Sequence, residues 1–445
     1  MKWQDRIKLI LALAVVVFCF LEFLLQRHIS IFREWEAAFL SLQSLVVGCL
    51  VLWYAGFLWL NFRLTDDLMI RLLALGLVWL VLGGTKSSTQ ALFLFFGVML
   101  GKGMFLCFES GKRKAESRNY LVGLVALLTL AAWWRLDMSD NYYHGPRWMG
   151  LWENPNTYGM LMGAGVALAI GLLAANSKFK IQNSKTNWFL GIAVFMLGVG
   201  LVMSYSRGAW LGAAMGLLYL AWAYGKLKWR YVILGAGVLA LGSWLIWGNT
   251  LDSAPWYVKR ADLGRLSAQN RATAWRAGLE IMRDHPLGVG WNNAVKIYGE
   301  KYSPPEGGPG ALTTNDYMML GTELGIPALL CFMTYVALCY RKSPRPHLTL
   351  MTFPQTIAST SKPSTGLRPT SLAPASEGHP FGSGEGINMT QHESLRAACL
   401  AGASVFAVAF WFDGGLFNLP TAAVFWVLLE LGAARGGKID SRELS

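Results

Sequence analysis

The sequence predicts an all-α integral membrane protein with about twelve transmembrane helices and one large helical loop between the ninth and tenth. Of the 445 residues, 54% are hydrophobic and only 15% are charged. Apolar runs long enough to cross the roughly 30 Å hydrocarbon core of a bilayer recur along the chain. One polar stretch of 66 residues, 248–313, interrupts them and carries eight basic side chains. These features predict a membrane-embedded body with a folded cationic module on one side.

The apolar runs define the predicted spans in chain order. The first run is long and lacks a small-residue cleavage site, so it is predicted to be a retained span and not a signal peptide. The third and fourth contain Arg71 and Lys102, and a tight turn separates the seventh from the eighth. The twelve predicted spans are 7–25, 37–60, 68–84, 89–109, 119–136, 157–175, 187–205, 207–224, 231–247, 314–340, 395–412 and 418–434.

The distribution of lysine and arginine predicts the orientation, because cytoplasmic loops carry an excess of both residues. Alternate short loops are basic if both termini are cytoplasmic, as in Lys112–Lys114, Lys226–Arg230 and Arg435–Arg442. The 248–313 module then lies outside the cytoplasm. Anionic lipid headgroups beside the basic loops account for the net charge of +13, so nucleic acid is not a predicted partner.

Four regions follow from this pattern. Residues 1–136 form the N-terminal helices, 137–340 a core that includes the 248–313 module, and 395–445 the C-terminal helices and tail. Residues 341–394 form a cytoplasmic loop, of which 343–394 is rich in Pro, Ser, Thr and Gly, a composition that predicts disorder. An inserted segment is favoured over a regulatory one. The six cysteines all fall within predicted spans as small packing residues.

Polar segments converge on the outer face and include the turn at Arg207. Arg207 lies between two apolar helices in a turn too short to carry its side chain far from the membrane. A guanidinium at that depth is costly unless it is paired, so a functional role is favoured over snorkelling to the headgroups. The other segments are 140–156, the module itself and 313–316, and Asp413 lies at the outer end of the eleventh span.

Within the module, Asn270–Pro286 predicts an amphipathic helix with Ala274, Leu279, Ile281 and Met282 among its apolar positions. Arg271 and Trp275 are four residues apart and share a face. The start of the helix is predicted to add positive potential for an anion. The following glycine turn, 288–292, would let backbone amides approach a ligand, although most such turns only redirect the chain.

Several motifs together resemble the O-antigen ligase and polymerase superfamily. They are SYSRGAWLG at 204–212, Arg271 with Trp275, DHPLGVGW at 284–291 and TNDYMMLGTELGIPALL at 314–330. The upstream GPRWMGLWENPN at 145–156 is similar to a segment that often precedes them. In order and spacing the resemblance covers about residues 140–340.

The resemblance implies a polytopic glycosyltransferase of the bacterial inner membrane that uses a polyprenyl-diphosphate-linked glycan at the periplasmic face. It implies that Arg207 and Arg271 contact the diphosphate, with Arg276 and Arg147 as weaker candidates. Asn156 and Asn315 are predicted to support the site. A diphosphate leaving group gains negative charge as the sugar C1 bond breaks, and arginine neutralises it with a permanent, bidentate cation.

The acceptor hydroxyl also has to lose its proton, and here the chain departs from the family pattern. Ligases typically begin the tenth span with His-Asn or His-Ser, whereas this chain has Thr314 before Asn315. A threonine hydroxyl binds an acceptor but is not a base near neutral pH. Asp316 is slightly favoured, His285 or His144 are alternatives, and a reaction with little base assistance stays open. Glu323, seven residues after Asp316, is predicted to be a buried structural group.

Other functions are weighed against this one. The six histidines lack a ligand-like spacing, so no metal is expected, and no cofactor-binding fingerprint is present. The expected partners are the lipid-linked glycan donor, a lipid or glycan acceptor and membrane lipids. A repeat-unit polymerase stays open beside a ligase. A transporter predicts charges at the bilayer midplane and repeated halves, and an envelope scaffold would not need Arg207 or Arg271.

Overall fold

The structure is a computed structural model that describes isolated positions between 90 and 104 together with residues 117–134, 138–139, 147–152, 154–178, 184–225, 266–302, 312, 314–341 and 390–433. The predicted spans at 7–25, 37–60, 68–84 and 231–247 lie outside the described residues, as do His144 and nearly all of the 341–394 loop. The described chain is mostly helical, and the count of twelve spans stays a prediction.

Ten α-helices account for most of the described chain. Four precede the module: α1 (Ser117–Trp134), α2 (Pro155–Lys178), α3 (Ser184–Met203) and α4 (Arg207–Ala223). The module contributes α5 (Leu266–Asp284), α6 (Ala294–Ile297) and a π-helical turn at Tyr298–Tyr302. The remainder are α7 (Asp316–Glu323), α8 (Ile326–Arg341), α9 (Gln391–Ala409) and α10 (Leu419–Ala433). The strands β1 (Met138–Ser139) and β2 (Arg147–Trp148) pair antiparallel, and Gly150–Trp152 is a 3₁₀ turn.

Among the described helices, two are long and apolar enough to cross a membrane, Pro155–Ser177 within α2 and Lys185–Met203 within α3. Three shorter helices, α1, α8 and α10, are also apolar. These five elements coincide with predicted spans and agree with membrane insertion. Phe195 of α3 is 72% exposed, as expected of a helix with one face toward lipid.

The core forms where α9 packs against α2, α4 and α10. A stripe of small residues on α4 permits close approach, because a Cβ at Gly212 would lie 2.4 Å from the Val405 carbonyl oxygen. A Cβ at Gly216 would lie 2.6 Å from the Ala401 carbonyl oxygen. Small residues at this four-residue spacing let helix backbones meet in membranes. The contact fixes the N-terminal end of α4 beside the segment that follows α9.

The predicted span 314–340 is divided into two helices. Gly325, with φ of +91°, follows α7 and is succeeded by Ile326 and Pro327 at the start of α8. A Cβ at Gly325 would lie 2.5 Å from the backbone of Leu287, so the module chain occupies the break. The amide of Ile326 donates to the Pro286 carbonyl at 2.9 Å. The break therefore serves to dock the module on the membrane helices.

The amphipathic helix of the module is longer than predicted, since α5 begins at Leu266. Ala274, Ile281 and Met282 are buried in a small core with Leu312 and Met318. Leu279 is 56% exposed, which corrects its assignment to the apolar face. The cysteines that the structure describes are reduced, and Cys339 and Cys399 are buried among apolar side chains.

Candidate active site

The site is built around the turn between α3 and α4. α3 ends at Met203, Tyr205 adopts φ of +48°, and Arg207 begins α4. Ser206 is the N-cap of α4, and its hydroxyl oxygen accepts the Ala209 amide at 3.2 Å. This cap satisfies one of the free amides at the helix start. Arg207 is half-buried in the first turn of α4.

Asp413 connects this turn to the module. The Ser206 hydroxyl donates to Asp413 Oδ2 at 2.6 Å, and Arg271 Nη2 lies 3.8 Å from Asp413 Oδ1. The Asp413 side chain is 6% exposed and that of Arg271 23%. A Cβ at Gly208 would lie 2.4 Å from Asp413 Oδ2, so only glycine leaves room for the carboxylate. Asp413 thus joins the start of α4 to α5, although the two helices lie far apart in sequence.

Arg147 supports the same turn from behind. It is 2% exposed, its Nε donates to the Ser204 carbonyl at 2.7 Å, and its Nη2 donates to Asn156 Oδ1 at 2.8 Å. A buried guanidinium with two such acceptors is a structural brace. The geometry places Arg147 and Asn156 in the support of the turn, and the expected diphosphate contact of Arg147 stays a prediction.

Two of the three arginines of α5, Arg271 and Arg276, face different ways. Arg276 is exposed and lies five residues from Arg271, about 140° around the helix. We call Ser206, Arg271 and Asp413 the Asp413 cluster, and of these two arginines only Arg271 belongs to it. Because α5 begins at Leu266, Arg271 lies in the second turn of the helix, away from its N-terminal end. The anion-binding role expected of this helix start therefore loses its basis, since the dipole effect is confined to the terminal turn.

The segment at 314–316 serves helix α7. Asn315 is the N-cap and accepts the amides of Tyr317 and Met318 at 3.0 and 3.1 Å. Asp316 is 2% exposed, and its Oδ2 accepts the Leu416 amide at 2.7 Å. Its own amide donates to the Phe410 carbonyl at 3.0 Å. Asp316 therefore holds the loop 410–416 that carries Asp413. Thr314 is half-buried immediately before the cap.

Glu323 and the glycine turn form the docking contact of the module. Glu323 is 1% exposed and accepts the Asn292 amide at 3.2 Å, in agreement with a structural role. The Val289 amide donates to the Thr322 carbonyl at 2.9 Å, and the Gly290 amide donates to the Glu323 carbonyl at 2.9 Å. The Gly288 amide donates to His285. These amides bind the protein itself, so the turn does not offer them to a ligand.

His285 lies at the far end of α5 from Arg271. The intervening residues span about 20 Å at the rise of an α-helix. Beside it, the Tyr302 hydroxyl donates to Asp284 at 2.8 Å and Arg283 lies 3.1 Å away, which together hold the pKa of Asp284 below its ordinary value. This geometry separates His285 from the Asp413 cluster. Within the described part of the chain, no three His, Cys, Asp or Glu side chains converge as a metal site.

The sequence identified Asp413 only as a residue near the predicted outer face. Its signal is a single carboxylate that ends an apolar span directly after two aromatic residues, in WFD at 411–413. Ser206 carried no signal beyond its place in the turn. Trp411 was missed, because an aromatic residue at a span end is ordinary in membrane proteins.

A comparison with protein families matches residues 192–333 to the family described as O-antigen ligase. The matched segment contains Arg207, Arg271 and Asp316, while Arg147 and Asp413 lie outside it. No curated protein matches the chain.

Proposed function

We propose that the chain, whose residues 192–333 match the O-antigen ligase family, transfers a glycan from a polyprenyl diphosphate carrier to a sugar acceptor at the periplasmic face of the inner membrane. The acceptor is a lipid A core or another glycan, as in ligases. The observation that carries this proposal is the contact of Asp413 with both Ser206 and Arg271, which brings Arg271 of the module next to the turn that holds Arg207.

The chemistry requires stabilisation of the leaving group. The bond between sugar C1 and the diphosphate oxygen breaks, the oxygen keeps the electron pair, and a bond forms between C1 and the acceptor oxygen. We assign Arg207 and Arg271 to bind the diphosphate and neutralise its growing charge. Fixed cations in a site partly screened from water are effective because they need little reorganisation during the reaction.

The acceptor proton has to reach a base, and we assign this role to Asp413. The Asp413 carboxylate contacts Arg271. The Asp316 carboxylate instead accepts a hydrogen bond from the Leu416 amide. Asp316 then acts as a positioning residue for the loop of Asp413. Such support is what keeps a reacting group within the narrow geometry that transfer needs. The distance of His285 along α5 argues against its participation.

The proposal is tested by glycan analysis in a deletion strain that carries wild-type or variant protein. We expect Arg207→Ala and Arg271→Ala each to abolish glycan attachment with protein levels retained. Arg283→Ala is the matched control, because Arg283 is 76% exposed at the other end of α5. We expect Arg283→Ala to retain activity.

The glycan pattern separates the candidate reactions. Loss of attachment with chain lengths intact supports a ligase, and loss of chains beyond one repeat supports a polymerase. Unchanged glycans in both arginine variants would contradict the proposed catalysis and favour a scaffold. Accumulation of the donor on the cytoplasmic side would instead indicate transport of the lipid-linked glycan.

A further inference from the structure

Four aromatic rings stand next to the Asp413 cluster, and we call them the aromatic wall: Trp275, Tyr317, Trp411 and Phe412. Trp411 lies 5.8 Å from Trp275 at an interplanar angle of 68° and 5.4 Å from Tyr317 at 44°. Phe412 lies 6.4 Å from Trp275. Trp411 is 38% exposed, whereas Tyr317 is 9% exposed. Two rings therefore hold the Trp411 indole while part of its surface stays accessible.

The aromatic wall and the cationic cluster share the same two segments. Trp275 lies one turn after Arg271 on α5, and Trp411 lies two residues before Asp413. The pair formed by Arg271 and Asp413 and the pair formed by Trp275 and Trp411 therefore bridge the same gap side by side. On the proposed function, a sugar attached to a diphosphate at Arg271 would lie next to the aromatic wall.

We propose that Trp411 is a binding platform for the sugar that is attached to the carrier diphosphate. This inference rests on the proposed function and names a contact to the carbohydrate part of the same donor. The flat C–H face of a sugar ring packs on an indole face, whose negative quadrupole attracts it.

A membrane anchor is the competing explanation of an exposed tryptophan, since indoles gather at the bilayer interface. Trp133 provides the comparison. It is 37% exposed near the outer end of α1 and packs edge-on against Trp148 at 5.6 Å. It matches Trp411 in exposure and in ring packing but has no part in the aromatic wall.

The test measures binding of two probes to the full-length protein in lipid nanodiscs. One probe is polyprenyl diphosphate, and the other is the same lipid bearing a glycan. We expect Trp411→Leu to weaken binding of the glycan-bearing lipid about tenfold and to leave binding of the bare lipid unchanged. Trp411→Phe keeps a ring and should lose about threefold at most. Trp133→Leu should alter neither affinity.

Equal weakening of both probes by Trp411→Leu, or no weakening of either, would overturn the platform. The Phe variant and a thermal unfolding curve for each protein distinguish a lost contact from a misfolded chain. Arg271→Ala tests the proposed function separately, since it should weaken both probes. If Arg271→Ala affects neither probe, the diphosphate assignment fails whatever Trp411 does.

Discussion

Gly208→Ala perturbs the candidate site through a single methyl group. The added Cβ would lie 2.4 Å from Asp413 Oδ2 and 2.9 Å from its Cγ. This is about 1 Å inside normal van der Waals contact. The carboxylate must move away from the start of α4, which pulls it from the Ser206 hydroxyl at 2.6 Å.

Two opposing terms set the stability of this variant. Alanine in place of glycine favours a helix by about 1 kcal/mol. Loss of a hydrogen bond to a charged carboxylate costs about 1.5 to 3 kcal/mol. We therefore expect a net loss of only about 0.5 to 2 kcal/mol in the free energy of unfolding, which leaves the protein folded. Displacement of a reacting group by about 1 Å can lower a rate about 100-fold.

The measurements are the initial rate of glycan transfer in membrane vesicles and thermal unfolding of the purified protein. Gly198→Ala on α3 is the control, because a Cβ there meets nothing within 4 Å. We expect Gly208→Ala to lose transfer about 100-fold at nearly unchanged stability and Gly198→Ala to retain both. Transfer by Gly208→Ala at half the wild-type rate or more would refute the central position of Asp413.

Three further outcomes are expected. Gly288→Ala should lower the free energy of unfolding by about 3 kcal/mol or more, because φ is +92° and the new Cβ would lie 2.4 Å from the Glu323 carbonyl oxygen. Gly299→Ala, with open space around the new Cβ, should match wild type in thermal unfolding. Arg147→Lys keeps the charge but cannot reach both acceptors, so transfer should fall about tenfold; unchanged transfer would exclude the brace. Asp316→Asn should retain most activity in the vesicle assay, and His285→Ala should retain all of it; abolition by either would contradict the roles assigned here.

The helices of the membrane body were predictable because each is a long apolar run. α1, α2, α3, α4, α9 and α10 each lie within a few residues of a predicted span. The break at Gly325 was not predicted, because Leu324 and the residues after Pro327 continue the apolar run on both sides. A Gly-Ile-Pro sequence is nevertheless a signal for the end of one helix and the start of the next. Hydropathy alone outweighed that signal.

The residue types of the site were predictable, but their contacts were not. Arg207 and Arg271 stand out as cations beside apolar helices. The bond between Ser206 and Asp413 joins residues 207 positions apart, and it depends on the close packing of α4 on α9. Local sequence also made Asp316 look like a free acid at a helix start. Only the tertiary fold supplies the Leu416 amide that encloses it.

The proposed function gives a physical reason for the presence of Asp413 beside Arg271. The start of α4 and the Arg271 guanidinium together create a positive potential that is costly near a membrane when no anion is bound. Asp413 offsets it. The 3.8 Å contact with Arg271 is longer than a good hydrogen bond, whereas the 2.6 Å contact with Ser206 is short. An incoming diphosphate would therefore displace the Asp413 carboxylate from Arg271 more easily than from Ser206. Asp413 would stay beside the reacting centre through its bond to Ser206. The oxygen released from Arg271 would then receive the acceptor proton.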